Sequence, residues 1–193
     1  MHSLKRNIIL GSQSPRRREL MTGLDLPFST VTIDADESYP AELRAGDIPM
    51  YISRSKARAY AHELQDHDLL ITSDTIVWLQ GEMLGKPKDE DDAKAMLAKL
   101  SGQTHEVYTA VCFSDKNGEL ETWVDCTKVT FNSLTAEEID YYVTHYHPLD
   151  KAGAYGVQEW IGYVGVTRME GSYFNVMGFP ICHVYDRLKK YID

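Results

Sequence analysis

An α/β fold is what this sequence predicts, with a mixed, twisted sheet in two lobes around a central cleft. Three observations lead there. Residues 69–79 read LLITSDTIVWL, an apolar, β-branched run of the kind found in strands buried on both faces. Before it, strand-like and helix-like segments alternate, the order that builds parallel βαβ units. After it comes a strand-rich stretch with hairpin turns, which makes the sheet mixed. The chain has 193 residues, enough for one good core or two small lobes. It contains no internal repeat, low-complexity tract or Pro/Ser-rich linker, so residues 1–193 read as one domain.

The chain opens with a short strand at Ile8, Ile9 and Leu10. The turn-forming string GSQSP follows at 11–15, then a helix with Ser14 as N-cap and Pro15 as first helical residue. Strand, polar loop and helix N-terminus in succession point free backbone N–H groups at an anion. Arg16 and Arg17 oppose the helix dipole in the first turn, which is unfavourable unless something negative binds there; the alternative is a solvated arginine face. Residues 28–33 alternate as a strand and run into Asp34, Ala35, Asp36 and Glu37. A helix over 49–64 carries Arg54, Lys56 and Arg58 among apolar positions. Gln80 and Gly81 close a hairpin between the central strand and Met83-Leu84, which brings Lys86 back towards the strand of Asp74. An amphipathic helix spans 89–100 and ends at Ser101-Gly102. Strands at 105–114 and 120–131 are joined by the turn DKNG. Thr135 and Glu138 form a capping box for a helix ending at Tyr146. In PLDKAGAYGVQ, at 148–158, small and polar residues alternate, and Gly153 and Gly156 permit close backbone approach. A strand over 161–169, a loop over 170–180 and a closing helix over 181–192 complete the chain.

Composition excludes several classes. Hydrophobic content of 43% and charged content of 25% are those of an ordinary soluble protein. No apolar run is long enough to span a bilayer, and no signal-peptide core follows the N-terminus; a cytoplasmic location without a membrane partner is expected. A net charge of −9 argues against binding a nucleic acid polymer, which needs a basic face, but not against a small anion. Cys112, Cys126 and Cys182 are far apart and odd in number, without a C-x-x-C, so a zinc site or disulfide framework is not expected and each reads as a small core residue. His145 and His147 diverge by about 200° around a helix axis, which disfavours them as a metal pair.

Asp74 stands in the middle of the apolar run. A carboxylate there is costly unless it is paired or binds a cation; the alternative is a strand ending near Thr72 and a solvated turn. At strand ends and tight loops the sequence offers Arg16, Arg17, Lys56, Lys86 and Lys151, the carboxylates of Asp36, Glu37, Asp74 and Asp150, and the neutral Ser14, Thr75 and Gln158. Several cations with a few carboxylates suit a polyphosphate-plus-metal site. The cations neutralise phosphate oxygens, a carboxylate-held hard cation such as magnesium polarises phosphorus, and a further carboxylate activates water. Gly85-Lys86-Pro87 is not a Walker loop.

The strings GSQSPRR, SDT, GKP, SGQTHEVYTAV, DKAGAYGVQ and GSYFNVMGFP, in that order, resemble the Maf family of nucleoside triphosphate pyrophosphatases over nearly the whole chain. Gly11, where Ala is usual, and Phe179, where Leu is usual, are slight departures. The resemblance implies hydrolysis between the α and β phosphates, a divalent cation (Mg2+ or Mn2+), a house-cleaning role against unwanted nucleotides, a two-lobed fold related to inosine triphosphatases, and a homodimer. It implies Asp74 as the proton acceptor and Ser14, Arg16 and Arg17 as a phosphate-cradling loop. It further implies Lys56, Lys86 and Lys151 as phosphate-facing cations and Glu37, ahead of Asp36, as metal ligand. Arg16, Thr75 and Gln158 resemble the subgroup that cleaves dTTP and UTP rather than the one that prefers 7-methyl-GTP. A phosphatase releasing orthophosphate and a non-catalytic nucleotide-binding regulator of septum formation are the competing expectations.

Overall fold

The computed structural model describes residues 4–193. Its strands are β1 (Asn7–Gly11), β2 (Phe28–Val31), β3 (Asp68–Leu79), β4 (Glu82–Leu84), β5 (Thr104–Asp115), β6 (Gly118–Phe131) and β7 (Val166–Glu170). They form a seven-stranded mixed sheet in the order β2-β1-β3-β5-β6-β7, with β4 beside β3. The helices are α1 (Pro15–Thr22), α2 (Asp47–Tyr60), α3 (Glu90–Leu100), α4 (Ala136–Tyr146), α5 (Trp160–Gly165), α6 (Tyr173–Val176) and α7 (Ile181–Leu188). The chain packs as two compact units. One comprises the described part of Met1–Asp74 with Thr109–Asp125 and Gly178–Asp193; the other comprises Thr75–Tyr108 and Cys126–Met177.

In the first unit β1 runs parallel to both β2 and β3. Strand alternation sorts the apolar side chains. Ile8, Leu10, Leu69, Ile71, Val111 and Phe113 gather on one face with Met21 of α1 and Ile181, Val184 and Leu188 of α7. Leu70 and Cys112 belong to the opposite face, with Ala57 of α2. Burial on both faces is why the sequence of β3 is continuously apolar. The Thr72 hydroxyl donates to the Ser53 carbonyl at 2.7 Å, pinning α2 to β3. In register, Gly11 lies opposite both Val31 and Thr72, so β1 and β2 end together beside Thr72, while β3 runs on to Leu79.

In the second unit β4 pairs antiparallel with β3, and β7 with β6. Helix α3 packs on α4 and on the 3-10 turn Ala152–Ala154. Leu97, Leu100, Val129, Tyr142, Val143 and Ile161 are fully buried there. The capping box of α4 is formed as expected from Thr135 and Glu138. Gly153 has φ +68°, and a Cβ on it would stand 2.8 Å from the Val77 side chain, so the turn at 152–154 can lie against β3 only with glycine there. His105 Nε2 shares a 2.7 Å hydrogen bond with the Tyr155 hydroxyl, and both rings pack edge-on to Phe131.

Three expectations are corrected. Residues 161–169 are not one strand: α5 occupies Trp160–Gly165 before β7 begins. The β-branched and aromatic residues of WIGYVG are outweighed by helical sidedness, with Ile161 buried and Tyr163 80% exposed. The stretch 170–180 contains a helical turn, α6, capped by the Ser172 side chain accepting from Asn175 N. Of the three cysteines, only Cys112 is buried; Cys126 and Cys182 are exposed.

Candidate active site

The carboxyl ends of β1 and β2, beside the middle of β3, gather the polar residues of the first unit. Beyond β1, Ser14 caps α1 by accepting from Arg17 N at 3.5 Å, and its own N–H donates to Ser12 Oγ at 3.2 Å. Arg17 Nε donates to the Gly178 carbonyl at 2.8 Å and its Nη1 to the Ser73 carbonyl at 2.8 Å. The guanidinium therefore ties the helix start to the residue before Asp74. Burial lowers the Arg17 pKa, with Asp74 opposing and Arg16 adding to the shift.

Beyond β2, Asp36 is engaged in a local turn, accepting from Ser38 N at 2.8 Å and Ser38 Oγ at 2.7 Å. Glu37 instead reaches Lys56, 2.8 Å from its Nζ. Lys56 stands on α2 one helical turn beyond Ser53, the residue pinned to β3. Its Nζ is also 2.8 Å from Asp74 Oδ1. Lys56 thus bridges two carboxylates, one largely buried (Asp74, side chain 14% exposed) and one half exposed (Glu37, 52%). Asp74 lies in the middle of β3, not in a turn after it. Burial raises its pKa above the ordinary carboxylate value, while Lys56 and then Arg17 work against that rise. The cation holding Asp74 is Lys56, 18 residues away, rather than Lys86 as the hairpin suggested. Such a carboxylate is suited to accept a proton: ionised with the help of its cation, yet more basic than in water.

The second unit carries the remaining candidates. Thr75 follows Asp74 on β3. Lys86 is exposed, next to Gly85, whose carbonyl accepts from Gly153 N at 3.0 Å. That bond brings the Lys86 segment against the 152–154 turn. Lys151 is buried, its ammonium 2.8 Å from Asp150 and 3.2 Å from Glu159. Gln158 has a buried side-chain Oε1 with no protein hydrogen-bond partner among the described residues.

Two residues of this unit were not singled out from the sequence. Glu159 accepts a short hydrogen bond from the Tyr142 hydroxyl, and that hydroxyl accepts from Gly156 N at 3.0 Å. Tyr142 sits at a core position of α4, which disguises its polar role. Glu159 follows Gln158 directly, and its adjacency to the glycine-rich string was the available signal.

Among the described residues no group of three or more His, Cys, Asp or Glu is gathered for a metal ion. Glu37 and Asp74 do converge on one positive charge, so two carboxylates are disposed about a cation position.

A mixed α/β sheet in which the parallel strands β1 and β2 end among polar residues, beside Asp74 of β3, defines the class: an α/β protein with its candidate site where the parallel part of such sheets takes ligands. Within that class the chain belongs to the Maf family; the model of the Maf-like protein matches residues 7–191. It is 51% identical over 187 residues to the dTTP/UTP pyrophosphatase of Phocaeicola vulgatus, covering 96% of each chain. It is 52% identical over 187 residues to that of Bacteroides thetaiotaomicron, again covering 96% of each. To that of Porphyromonas gingivalis it is 50% identical over 190 residues, covering 97% of this chain and 95% of the other. Among solved structures, the Staphylococcus aureus Ham1 protein shares the fold, with a TM-score of 0.53 at 15% identity, covering 94% of this chain and 100% of that one.

Proposed function

We propose that this protein is a nucleoside triphosphate pyrophosphatase that hydrolyses dTTP and UTP to the monophosphate and pyrophosphate. The observation that carries the substrate class is half-identity, over nearly the full length, to proteins named for that activity. The chemistry is supported by Asp74, a buried carboxylate with a raised pKa and a lysine at 2.8 Å.

In this reading Asp74 takes a proton from water as the water oxygen attacks the α phosphorus. The bond from that phosphorus to the bridging oxygen breaks, and pyrophosphate leaves. Lys56 keeps Asp74 ionised and neutralises charge developing on the phosphates. Ser14, Arg16 and Arg17 form the cradle at the start of α1, and Lys86 and Lys151 take further phosphate oxygens. Thr75 and Gln158 meet the base; the buried Gln158 Oε1 suits a donor such as the N3–H of uracil or thymine. Glu37 would hold a divalent cation, Mg2+ or Mn2+. When bound, that cation would polarise the phosphoryl group. We take the two units as lobes of one Maf domain over 1–193, working as a cytoplasmic homodimer in nucleotide house-cleaning, with no nucleic acid polymer as partner. No helix among the described residues is long and apolar enough to cross a membrane.

The test is a product assay with magnesium or manganese on dTTP, UTP, CTP, GTP and 7-methyl-GTP. Monophosphate and pyrophosphate from dTTP and UTP are expected. Orthophosphate as the released product would contradict the reading.

A further inference from the structure

The loop from Lys151 to Glu159 is built around one carboxylate. The Glu159 carboxylate accepts from Tyr142 Oη and lies 3.2 Å from Lys151 Nζ. It also fills the space beside Gly156: a Cβ there would meet Glu159 Cδ at 2.8 Å, Glu159 Oε2 at 2.9 Å and Gln158 Nε2 at 3.0 Å. Tyr142 is fully buried, and its hydroxyl closes the ring by accepting from Gly156 N at 3.0 Å. The Gln158 amide nitrogen thus lies where a side chain on Gly156 would crowd it, while its Oε1 stays buried without a protein partner among the described residues. An amide seated beside a glycine, with its buried oxygen unsatisfied, is prepared for a ligand's donor.

We propose that Tyr142 and Glu159 are positioning residues for base discrimination. They hold the 151–159 loop so that the Gln158 amide presents its oxygen, without themselves touching the nucleotide. The inference rests on the pyrophosphatase reading above. A tyrosine hydroxyl that donates to a carboxylate and accepts a backbone N–H has one orientation only, so it passes the position of Glu159 to the backbone of Gly156, two residues before Gln158. Loss of the hydroxyl leaves the Gly156 N–H without its acceptor and lets the loop, and with it the amide, relax.

UTP and CTP separate this from a merely structural role, because they differ only on the base edge that an amide would read. Tyr142→Phe keeps the ring and removes the hydroxyl. We expect the ratio of kcat/KM for UTP to that for CTP to fall roughly tenfold, mostly through KM for UTP, with the CTP value little changed. In a Gln158→Ala background the same substitution should lower the ratio no further, since Tyr142 acts through Gln158. Should Tyr142→Phe not fold, Glu159→Leu, which takes the hydroxyl's acceptor away, carries the same ratio: any effect through Lys151 falls on the phosphates of both nucleotides and cancels. An equal loss on both nucleotides, or losses that multiply in the double variant, would overturn the inference while leaving the pyrophosphatase reading intact. A wild-type protein that turns over neither nucleotide would overturn that reading and the inference together.

Discussion

Each unit holds a lysine between two carboxylates, and the two sets are closely alike. Lys56 (side chain 13% exposed) lies between Asp74 (14%) and Glu37 (52%), and Lys151 (9%) between Glu159 (20%) and Asp150 (58%). In both, one carboxylate is largely buried and the other opens to water. What differs is the setting of the buried one. Asp74 projects from the middle of a strand covered on both faces, where burial raises its pKa. Glu159 stands just before a short helix and is tied through Tyr142 to the backbone of its own loop. The same three charges thus suit proton transfer in one place and loop geometry in the other. On the proposed roles, residue type and pairing do not separate catalysis from scaffolding; the surroundings of the buried carboxylate do.

Four substitutions would break or sharpen that contrast. The largest effect is expected from Asp74→Asn, which is close in shape but cannot accept the proton: kcat should fall by about 10³-fold or more, with the melting temperature retained. Lys56→Met strands both Glu37 and Asp74; kcat/KM on UTP should drop roughly a hundredfold at neutral pH. In the second unit the expected effects are on stability. Burial lowers the His105 pKa from 6.5 to about 4. The unfolded chain then binds the proton more readily, so stability from this group is full above pH 6.5 and is lost as pH falls towards 4. The loss amounts to about 3 kcal/mol, and His105→Gln should flatten that part of a denaturant-measured stability profile. Gly153→Ala combines a positive φ with a close approach to Val77; a loss of about 1–3 kcal/mol is expected by thermal unfolding.

The sheet was largely legible because its central strands are buried on both faces and their composition records it. The capping box fixed the start of α4 for a similarly local reason. Helix α5 was not legible: six residues rich in β-branched and aromatic side chains carry a strand's propensity, and only the burial of Ile161 reveals the helix. Asp74 stood out as a charge in an apolar run. Its partner did not, because Lys56 reaches it across the packing of α2 on β3, a contact no period encodes. Tyr142 read as core because it is core; its hydroxyl finds its partner 17 residues further along the chain. Gly11, a departure from the Maf pattern, has a local explanation: a Cβ there would stand 2.5 Å from Ile33 Cδ1.

The central claim is that Asp74 acts as an ionised base whose pKa is raised by burial and restrained by Lys56. Its most direct test is the pH dependence of kcat/KM on UTP for the wild type and Lys56→Met. Activity requires the carboxylate, so it is lost as pH falls through the Asp74 pKa. Removing Lys56 removes the largest influence holding that pKa down, and the acid limb should move to higher pH. An acid limb that stays where it is, or moves to lower pH, would contradict the account.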